Sequence, residues 1–311
     1  MFPLSPRLLS VGLPVFNGEN YLESALDSVL SQTFDDFELV VSDNASTDRT
    51  AELVLSRASA DERIRYVRHP ENLGAAPNYN STLAMSEASR YYVWIAHDDV
   101  LYPRFFEVCI DALEADPAAV LSFTKTVSLD QDAVEGEVFA SRPALEDPGA
   151  SVRFADAINQ RRRNYPVFGV MRRSALDRTH LHGSYTGSDR TLVAEMALQG
   201  PFIEVDEVLF GLREHEEKSV RQGSGAGLWG RDIWFDTANA EKITLPRWRR
   251  FGYYILASVK LPANATEKIK CVLEVARWLF DRNWKTLTLD LVKAARQAAV
   301  LLRGRKTPPS V

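Results

Sequence analysis

The first 100 residues limit the fold more than any other part of the chain, because short apolar segments alternate there with helical patterns. Segments 8–16, 37–42, 64–68 and 91–96 are rich in β-branched and aromatic residues, which is typical of strands buried on both faces. Polar turns and amphipathic helical patterns separate them. This alternation predicts an α/β fold with a mostly parallel sheet covered by helices, the doubly wound architecture of nucleotide-binding proteins.

The fourth of these segments is followed directly by charged and polar residues. Its apolar run stops at His97, Asp98 and Asp99. Two adjacent carboxylates at the end of a buried strand repel each other and lose hydration, so they are tolerated mainly where a cation or helix amides reach them. Open α/β sheets bind ligands at this position. The alternative is a simple turn in which Asp98 or Asp99 caps a helix that begins near Pro103.

The second half of the chain alternates less regularly. Its predicted elements, in order, are a helix over 104–114, a strand over 119–128, a surface loop or insertion over 130–149, a strand over 165–171, a small-residue loop, SYTGS, over 184–188, a helix over 189–198, and two strands over 202–205 and 208–213.

Composition indicates an ordinary globular protein. The 311 residues are 45% hydrophobic and 25% charged, enough for one large domain and an appendage. Cys109 and Cys271 lie in apolar helical patterns, which favours buried thiols over a disulfide. No apolar run of about 18 residues occurs, and the N-terminus lacks a signal-peptide pattern. We therefore expect a cytoplasmic location.

Charge divides the chain into two unequal parts. Residues 241–311 carry 15 Lys and Arg against 5 Asp and Glu, a net charge of +10, whereas the other 240 residues carry −15. Tryptophan-rich sequence of helical character begins near residue 225, so we predict one large domain over 1–222 and a basic, Trp-rich helical region over 223–311. In its last helix, one apolar stripe leaves Asp290, Lys293, Arg296 and Arg303 largely outside. The stripe consists of Leu287, Leu291, Ala294, Ala298 and Leu301.

Four motifs in the first third of the chain, in this order, carry a family resemblance. They are LPVFNGENYLESALDSVLSQTF, ELVVSDNASTDRT, RHPENLGAAPNYN and WIAHDDVLYP. Together with SDRTLVAEMALQGPFIEVDEVLFGLREH further on, they closely resemble family 2 glycosyltransferases, which have the GT-A fold. The likeness covers roughly residues 8–219. It implies an inverting enzyme that moves a sugar from a nucleotide diphosphate to an acceptor hydroxyl, usually with a divalent metal such as Mn²⁺ or Mg²⁺.

The resemblance places a group of residues at the nucleotide. Pro14, Phe16, Asn17 and Glu19 are expected beside it, and Asp43 against its base. A carboxylate there accepts the imide proton of uracil or thymine, which favours a UDP- or dTDP-sugar. The alternative for Asp43 is a simple Asx-turn.

A second loop and the acidic pair complete the donor side of the resemblance. Asn72 and Gly74 match an N-x-G loop, in which glycine lets the backbone approach the nucleotide, although an ordinary loop-to-helix turn is the alternative. Asp98 and Asp99 match the family's acidic metal motif, which also contacts the ribose. Many relatives carry a further Asp where this chain has Ala96, so one ligand or ribose contact is in doubt. His97 fits a packing role better than a metal ligand.

On the acceptor side, the resemblance assigns the catalytic base to Asp189. One carboxylate must take the proton of the attacking hydroxyl while the diphosphate leaves from the opposite face. Capping of the helix that begins there is a compatible role. His215 lies where relatives present a histidine or basic residue to the metal or diphosphate, although a lone histidine is often structural. Arg190 and Arg213 are candidate phosphate neighbours, and a surface role is preferred for Arg190.

Two other functional classes compete with this interpretation. The first is a non-catalytic module that binds nucleotide sugars but has lost turnover, which is suggested only by Ala96. The chain retains the residues expected for catalysis, which argues against this alternative: Asp98, Asp99, Asp189 and His215. A dinucleotide-dependent oxidoreductase would need G-x-G-x-x-G after the first strand, where G-L-P-V-F-N stands instead.

The sequence does not identify the acceptor, which in this family is a glycan, a lipid-linked sugar or a small molecule. No nucleic-acid-binding motif accompanies the basic C-terminal region. Its helices are expected to bind an anionic membrane surface at the inner face of the membrane, or to pack on the acidic catalytic domain of the same subunit or of a dimer partner.

Overall fold

The computed structural model describes residues 7–159, 165–215 and 227–303. The strands are β1 (Leu9–Val15), β2 (Phe37–Asp43), β3 (Ile64–Arg68), β4 (Tyr91–Trp94), β5 (Val100–Leu101), β6 (Leu121–Leu129), β7 (Glu135–Val138), β8 (Val170–Arg172) and β9 (Phe202–Arg213). The α-helices are α1 (Leu22–Leu30), α2 (Thr50–Ala58), α3 (Ala75–Met85), α4 (Phe105–Ala115), α5 (Ala150–Ile158), α6 (Arg173–Leu176), α7 (Ser188–Gln199), α8 (Gly230–Phe235), α9 (Pro246–Lys260), α10 (Ala265–Trp278) and α11 (Trp284–Leu302).

The described strands form one sheet in the order β3-β2-β1-β4-β8-β6-β9-β5, with β7 paired to β6. The first four are parallel, as the alternation of strands and helices predicted. The antiparallel strand β8 separates them from the parallel pair β6 and β9. This mostly parallel sheet, flanked by helices, is the GT-A architecture expected from the resemblance.

Helices cover both faces of the sheet, and β4 shows why its sequence is apolar throughout. Tyr91 and Val93 point into a core formed with α1, α2 and α4, whereas Tyr92 and Trp94 point into a second core formed with α5, α7, α9 and α10. Gly12 on β1 makes room for this second layer, because a Cβ there would lie 2.0 Å from the Tyr92 hydroxyl.

Three predicted elements differ from the observed ones. Segment 165–171 is not a single strand, because a 3-10 helix, Tyr165–Phe168, precedes β8. Pro166 has no backbone N–H to give to a strand ladder. Segments 202–205 and 208–213 form one strand, β9, whose register shifts against β6 between Thr124 and Thr126. The predicted loop over 130–149 contains β7 and a short 3-10 turn.

The C-terminal helices share a core with the rest of the chain. Tyr254 of α9, together with Cys271, Val275 and Trp278 of α10, packs in the same buried cluster as residues of α5 and α7. Cys109 and Cys271 are both buried free thiols. Among the helices that the structure describes, none combines the length and the apolar character needed to cross a bilayer.

The apolar stripe predicted for α11 is displaced from its buried face. Leu287 and Ala294 are buried as expected, but Asp290 and Gln297 are fully buried as well, and Leu291 is exposed. The reason is polar pairing. The Asp290 carboxylate accepts hydrogen bonds from the backbone N–H and the guanidinium of Arg247, at 2.7 and 2.6 Å. A buried carboxylate is tolerated where its charge is paired in this way.

Candidate active site

The strands β1, β2 and β4 end at the same edge of the sheet, and the loops that follow β1 and β2 are hydrogen-bonded to each other. The Asn17 backbone N–H donates to Ser46 Oγ, and Asn17 Oδ1 accepts from the Thr47 N–H, both at 2.9 Å. The Glu19 carboxylate accepts from the Arg49 N–H at 3.1 Å. Asn17 and Glu19 therefore fix the two loops as one unit, and their contact with a nucleotide stays a prediction.

Two further predicted nucleotide neighbours lie at this edge. Pro14 is buried within β1, in register with Ser42 of β2, and Phe16 is half-buried just beyond the end of β1. Both lie near the end of the sheet where ligands bind in open α/β folds, and their contact with a nucleotide stays a prediction.

Asp43, the predicted base-recognition residue, is completely buried and already hydrogen-bonded. Its Oδ1 accepts the N–H of Ser46, three residues on, at 2.8 Å, and its Oδ2 accepts the Tyr66 hydroxyl at 2.6 Å. Burial and the bond to this carboxylate raise the pKa of Tyr66. Arg68 lies 3.4 Å from Oδ2. The contact of this buried carboxylate with a nucleotide base therefore stays a prediction.

The N-x-G loop is held by Asn44, a residue that the sequence analysis did not single out. Its side-chain amide donates to Asn72 Oδ1 at 2.9 Å and to the Gly74 carbonyl at 3.1 Å, and its Oδ1 accepts from the Leu73 N–H. The signal was available in sequence, because Asn at the end of a buried strand commonly bonds to nearby backbone.

Gly74 was predicted to let the backbone approach a nucleotide, and in the structure it packs closely against protein backbone. Its φ of +89° requires glycine, and a Cβ would lie 2.6 Å from the Cα of Asp236. The backbone that approaches this glycine is therefore that of residues 236–237. The Thr237 N–H also donates to the Leu73 carbonyl. The close approach of a nucleotide to Gly74 remains a prediction.

The acidic pair after β4 is divided between two roles. Asp98 Oδ2 lies 2.8 Å from His215 Nε2, so these two predicted metal ligands meet. Asp99 Oδ1 instead accepts the backbone N–H of Arg213 at 3.0 Å, and the Arg213 guanidinium donates to the Asp98 carbonyl. This holds the end of β9 against the end of β4. Tyr21, which was not predicted, lies under both Arg213 and His215, with its ring 4.5 Å from the imidazole.

The residues around Asp98 fit a divalent cation in part. Within residues 7–159, 165–215 and 227–303, no three His, Cys, Asp or Glu side chains converge as a ready-made cage. The Asp98 and His215 atoms are 2.8 Å apart. That is about the spacing of neighbouring ligands around an octahedral ion with bonds of roughly 2.1 Å. Metals that act on nucleotides usually take their other ligands from phosphate and water. His97 packs on Gly18, as expected for a packing histidine.

Asp189 lies in the first turn of α7, after Gly187 in a left-handed conformation. Tyr79 on α3 connects it with the acidic pair. Burial raises the pKa of the Tyr79 hydroxyl, and the negative charges of Asp98, Asp99 and Asp189 raise it further. All three carboxylates therefore lie near enough to Tyr79 to act on its hydroxyl.

His182 is a second residue of the site that sequence reasoning missed. It is buried, its ring lies 5.0 Å from those of Tyr79 and Trp94, and its Nε2 has no partner among the described residues. Burial lowers its pKa to about 4, partly offset by the charge of Asp189. The imidazole is therefore neutral at pH 7. Its only sequence signal was a histidine in the segment before SYTGS.

The other candidates near Asp189 point elsewhere. The Glu195 carboxylate accepts hydrogen bonds from the backbone N–H and the ring of His180. It therefore holds His180 in place and is not directed at the site. Arg190 is half-buried on α7. Ser184, in the SYTGS loop, accepts hydrogen bonds at its carbonyl from Asn239 at 3.1 Å and from Arg249 at 3.3 Å.

Known proteins resemble this chain in sequence and in fold. The family described as Glycosyl transferase family 2 matches residues 10–179, more than half of the chain. The GalNAc(5)-diNAcBac-PP-undecaprenol beta-1,3-glucosyltransferase of Campylobacter jejuni is 37% identical over 91 residues, 29% of each chain.

Two solved structures share the fold. Staphylococcus aureus TarS in complex with UDP-GlcNAc superposes with a TM-score of 0.63 at 15% identity, covering 88% of this chain and 73% of TarS. The mannosyltransferase PcManGT of Pyrobaculum calidifontis, in complex with GDP-Man and Mn²⁺, gives 0.54 at 19% identity, covering 98% and 78%. The sequence matches span about a third or less of the length of the first curated relatives.

Proposed function

The chain belongs to the family 2 glycosyltransferases, and from this premise we propose that it transfers a sugar from a UDP- or dTDP-sugar to an acceptor hydroxyl with inversion at the anomeric carbon. The acceptor is a growing polysaccharide, a glycolipid or a metabolite. Solved structures of the same fold hold UDP-GlcNAc in one case and GDP-Man with Mn²⁺ in another, which supports a nucleotide-sugar donor.

The observation that carries this proposal is the position of Tyr79. The negative charges of Asp98, Asp99 and Asp189 all raise the pKa of its hydroxyl, and its ring lies 5.0 Å from that of His182, which supports one site for the strand-end carboxylates and the carboxylate of α7. A donor diphosphate held near Asp98 and an acceptor held near Asp189 would place the anomeric carbon between them. That is the arrangement an in-line displacement needs.

In the proposed mechanism, Asp189 receives the proton of the acceptor hydroxyl as its oxygen bonds to the anomeric carbon. The bond from that carbon to the diphosphate oxygen breaks on the opposite face, and its electron pair leaves with the nucleotide diphosphate. Asp98 and His215 would hold a divalent cation, which when bound neutralises charge on the leaving diphosphate. Tyr79 and His182 line the space between, where a neutral imidazole nitrogen can hydrogen-bond a sugar hydroxyl.

On the donor side, the nucleotide lies over the loops that follow β1 and β2. Asp43 is proposed to accept the imide N–H of the base after Tyr66 or Arg68 moves away from its buried carboxylate, and the half-buried ring of Phe16 offers an apolar surface. We further propose the division into a catalytic domain over 1–222 and a basic helical region over 223–311, with a boundary that lies outside the described residues.

A panel of nucleotide sugars tests the proposal in two steps. Thermal shift with and without Mn²⁺ should identify the donor, since a ligand at 100 times its dissociation constant adds about 2.7 kcal/mol to the free energy of unfolding. Release of nucleotide diphosphate in the presence of candidate acceptors then reports turnover, and exhaustive chelation should abolish it. Metal-independent turnover would remove the cation from the mechanism. Donor binding without transfer to any acceptor would favour the non-catalytic module.

A further inference from the structure

The last two helices form one continuous rod with an unpaired outer surface. A π-helical turn, Leu279–Asn283, joins α10 to α11 without a break in helical backbone. The inner side of the rod is occupied. Cys271, Val275 and Trp278 pack in the core, and Gln297 bonds to the Thr244 backbone N–H at 2.9 Å.

The outer side of α10 is apolar. Ile269, Leu273 and Phe280 are 59%, 53% and 71% exposed, and their spacings of four and seven residues place them on one side of the helix. Trp284, one turn beyond Phe280, is 50% exposed. Two ion pairs of α10 flank this stripe, Lys270–Glu267 at 2.8 Å and Arg277–Glu274.

The outer side of α11 combines apolar residues with cations that have no ion pair among the described residues. Lys285, Arg296 and Arg303 are exposed, whereas the one carboxylate of this helix, Asp290, is fully buried and paired with Arg247. Between the cations lie exposed apolar side chains. We call the whole surface the outer face: Ile269, Leu273, Phe280, Trp284, Leu289, Leu291, Val292 and Leu302, with Lys285, Arg296 and Arg303.

We propose that the outer face binds the surface of a bilayer that contains anionic lipids. Apolar and aromatic side chains enter the boundary between headgroups and acyl chains, while Lys and Arg meet the lipid phosphates. Charge argues against a second copy of the chain as the occupant. In a symmetric dimer this surface would face itself, bringing Lys285 and Arg296 against the same cations, with Asp281 at the rod's junction as the one exposed carboxylate nearby.

Vesicle sedimentation of the full-length chain tests this directly and does not depend on transfer activity. The protein should pellet with vesicles of phosphatidylcholine mixed with phosphatidylglycerol, and much less with phosphatidylcholine alone. Replacing Lys285 and Arg296 by Gln should lower partitioning roughly thirty-fold, since each cation near an anionic leaflet contributes about a factor of five. Replacing Leu273 and Phe280 by Gln should lower it at least roughly ten-fold.

Matched controls separate the outer face from general surface effects. Arg49→Gln with Arg90→Gln removes the same charge from exposed positions elsewhere, and Leu55→Gln with Val134→Gln removes two comparably exposed apolar residues. Both controls should pellet like the parent chain, and circular dichroism checks that every variant is folded. Binding to neither vesicle overturns the proposal. So does concentration-dependent dimerisation that Leu273→Gln with Phe280→Gln abolishes, because the outer face would then be a subunit contact.

Discussion

The loops at the proposed nucleotide end of the site are held mainly by their own side chains, whereas the SYTGS loop at the proposed acceptor end is held by helices from much later in the chain. Asn17, Glu19 and Asn44 bond to neighbouring loops of the same four-stranded unit. The SYTGS loop is instead fixed by Asn239 and Arg249. The proposed nucleotide end is thus held mainly by its own loops, with residues 236–237 reaching only the N-x-G loop, whereas the proposed acceptor end depends on the C-terminal region.

The largest effect should come from Asp189→Asn at the acceptor end. The amide keeps the shape of the carboxylate but cannot accept the acceptor's proton, so kcat should fall about a hundred- to ten-thousand-fold. Donor affinity, measured by calorimetry, should change little because the nucleotide loops are independent of α7. Arg190→Gln, on the next residue, serves as the control. Near-normal turnover of Asp189→Asn would assign Asp189 to helix capping alone.

The features that could be predicted from the sequence are the local ones. The parallel strands and their loops were predictable, because each apolar segment and its polar turn lie within a few residues of each other. The meeting of Asp98 with His215 and the place of Asp189 came only through family resemblance. Asp98 and His215 are 117 residues apart. No local pattern carries such information.

The rest of the site could not be predicted from the sequence, because it depends on contacts between residues that are far apart in the chain. His182 gains its role from Tyr79 and Trp94, which lie on other elements about 100 residues earlier. Gly74 meets Asp236, and the buried face of α11 follows from Asp290 pairing with Arg247. A helical pattern ranks residues by hydrophobicity and cannot show that a carboxylate will find a buried partner.

Gly74→Ala should test whether the nucleotide loop and the C-terminal region are coupled. The φ of +89° and the contact with Asp236 both oppose a Cβ. We expect a loss of about 3 kcal/mol in the free energy of unfolding, measured by chemical denaturation. Gly252→Ala in α9 is the matched control, because a Cβ there meets nothing within 4 Å. It should be neutral or stabilising by roughly 0.5–1 kcal/mol. Equal effects of the two substitutions would mean that residues 236–237 do not press on the loop.

The pH dependence of stability should report the burial of His182. Its pKa falls from 6.5 in the unfolded chain to about 4 in the folded one. Between these values the unfolded chain binds more protons, so this stabilising contribution is complete above pH 6.5 and is lost as the pH falls towards 4. The full change is about 3 kcal/mol.

Denaturation curves of the parent chain and of His182→Gln across that interval isolate this contribution, because all other groups titrate in both proteins. The variant should lose less stability on acidification. Parallel pH profiles would mean that the imidazole keeps its ordinary pKa in the folded protein, so that burial does not hold it neutral.

The smallest effect, and the sharpest test of the acceptor end, is expected from Asp290→Asn. Loss of the carboxylate weakens its pair with Arg247, which anchors α11 to the start of α9, and α9 carries Arg249 to the SYTGS loop. Because Arg247 is 41% exposed, the cost should be only about 1–2 kcal/mol, well below that of breaking a fully buried pair. The same loosening should raise the KM for acceptor while leaving the donor dissociation constant unchanged. Asp281→Asn, an exposed carboxylate on the same rod, is the control. If Asp290→Asn lowers stability and leaves the acceptor KM untouched, the SYTGS loop holds its shape without α9, and both ends of the site are then locally preorganised.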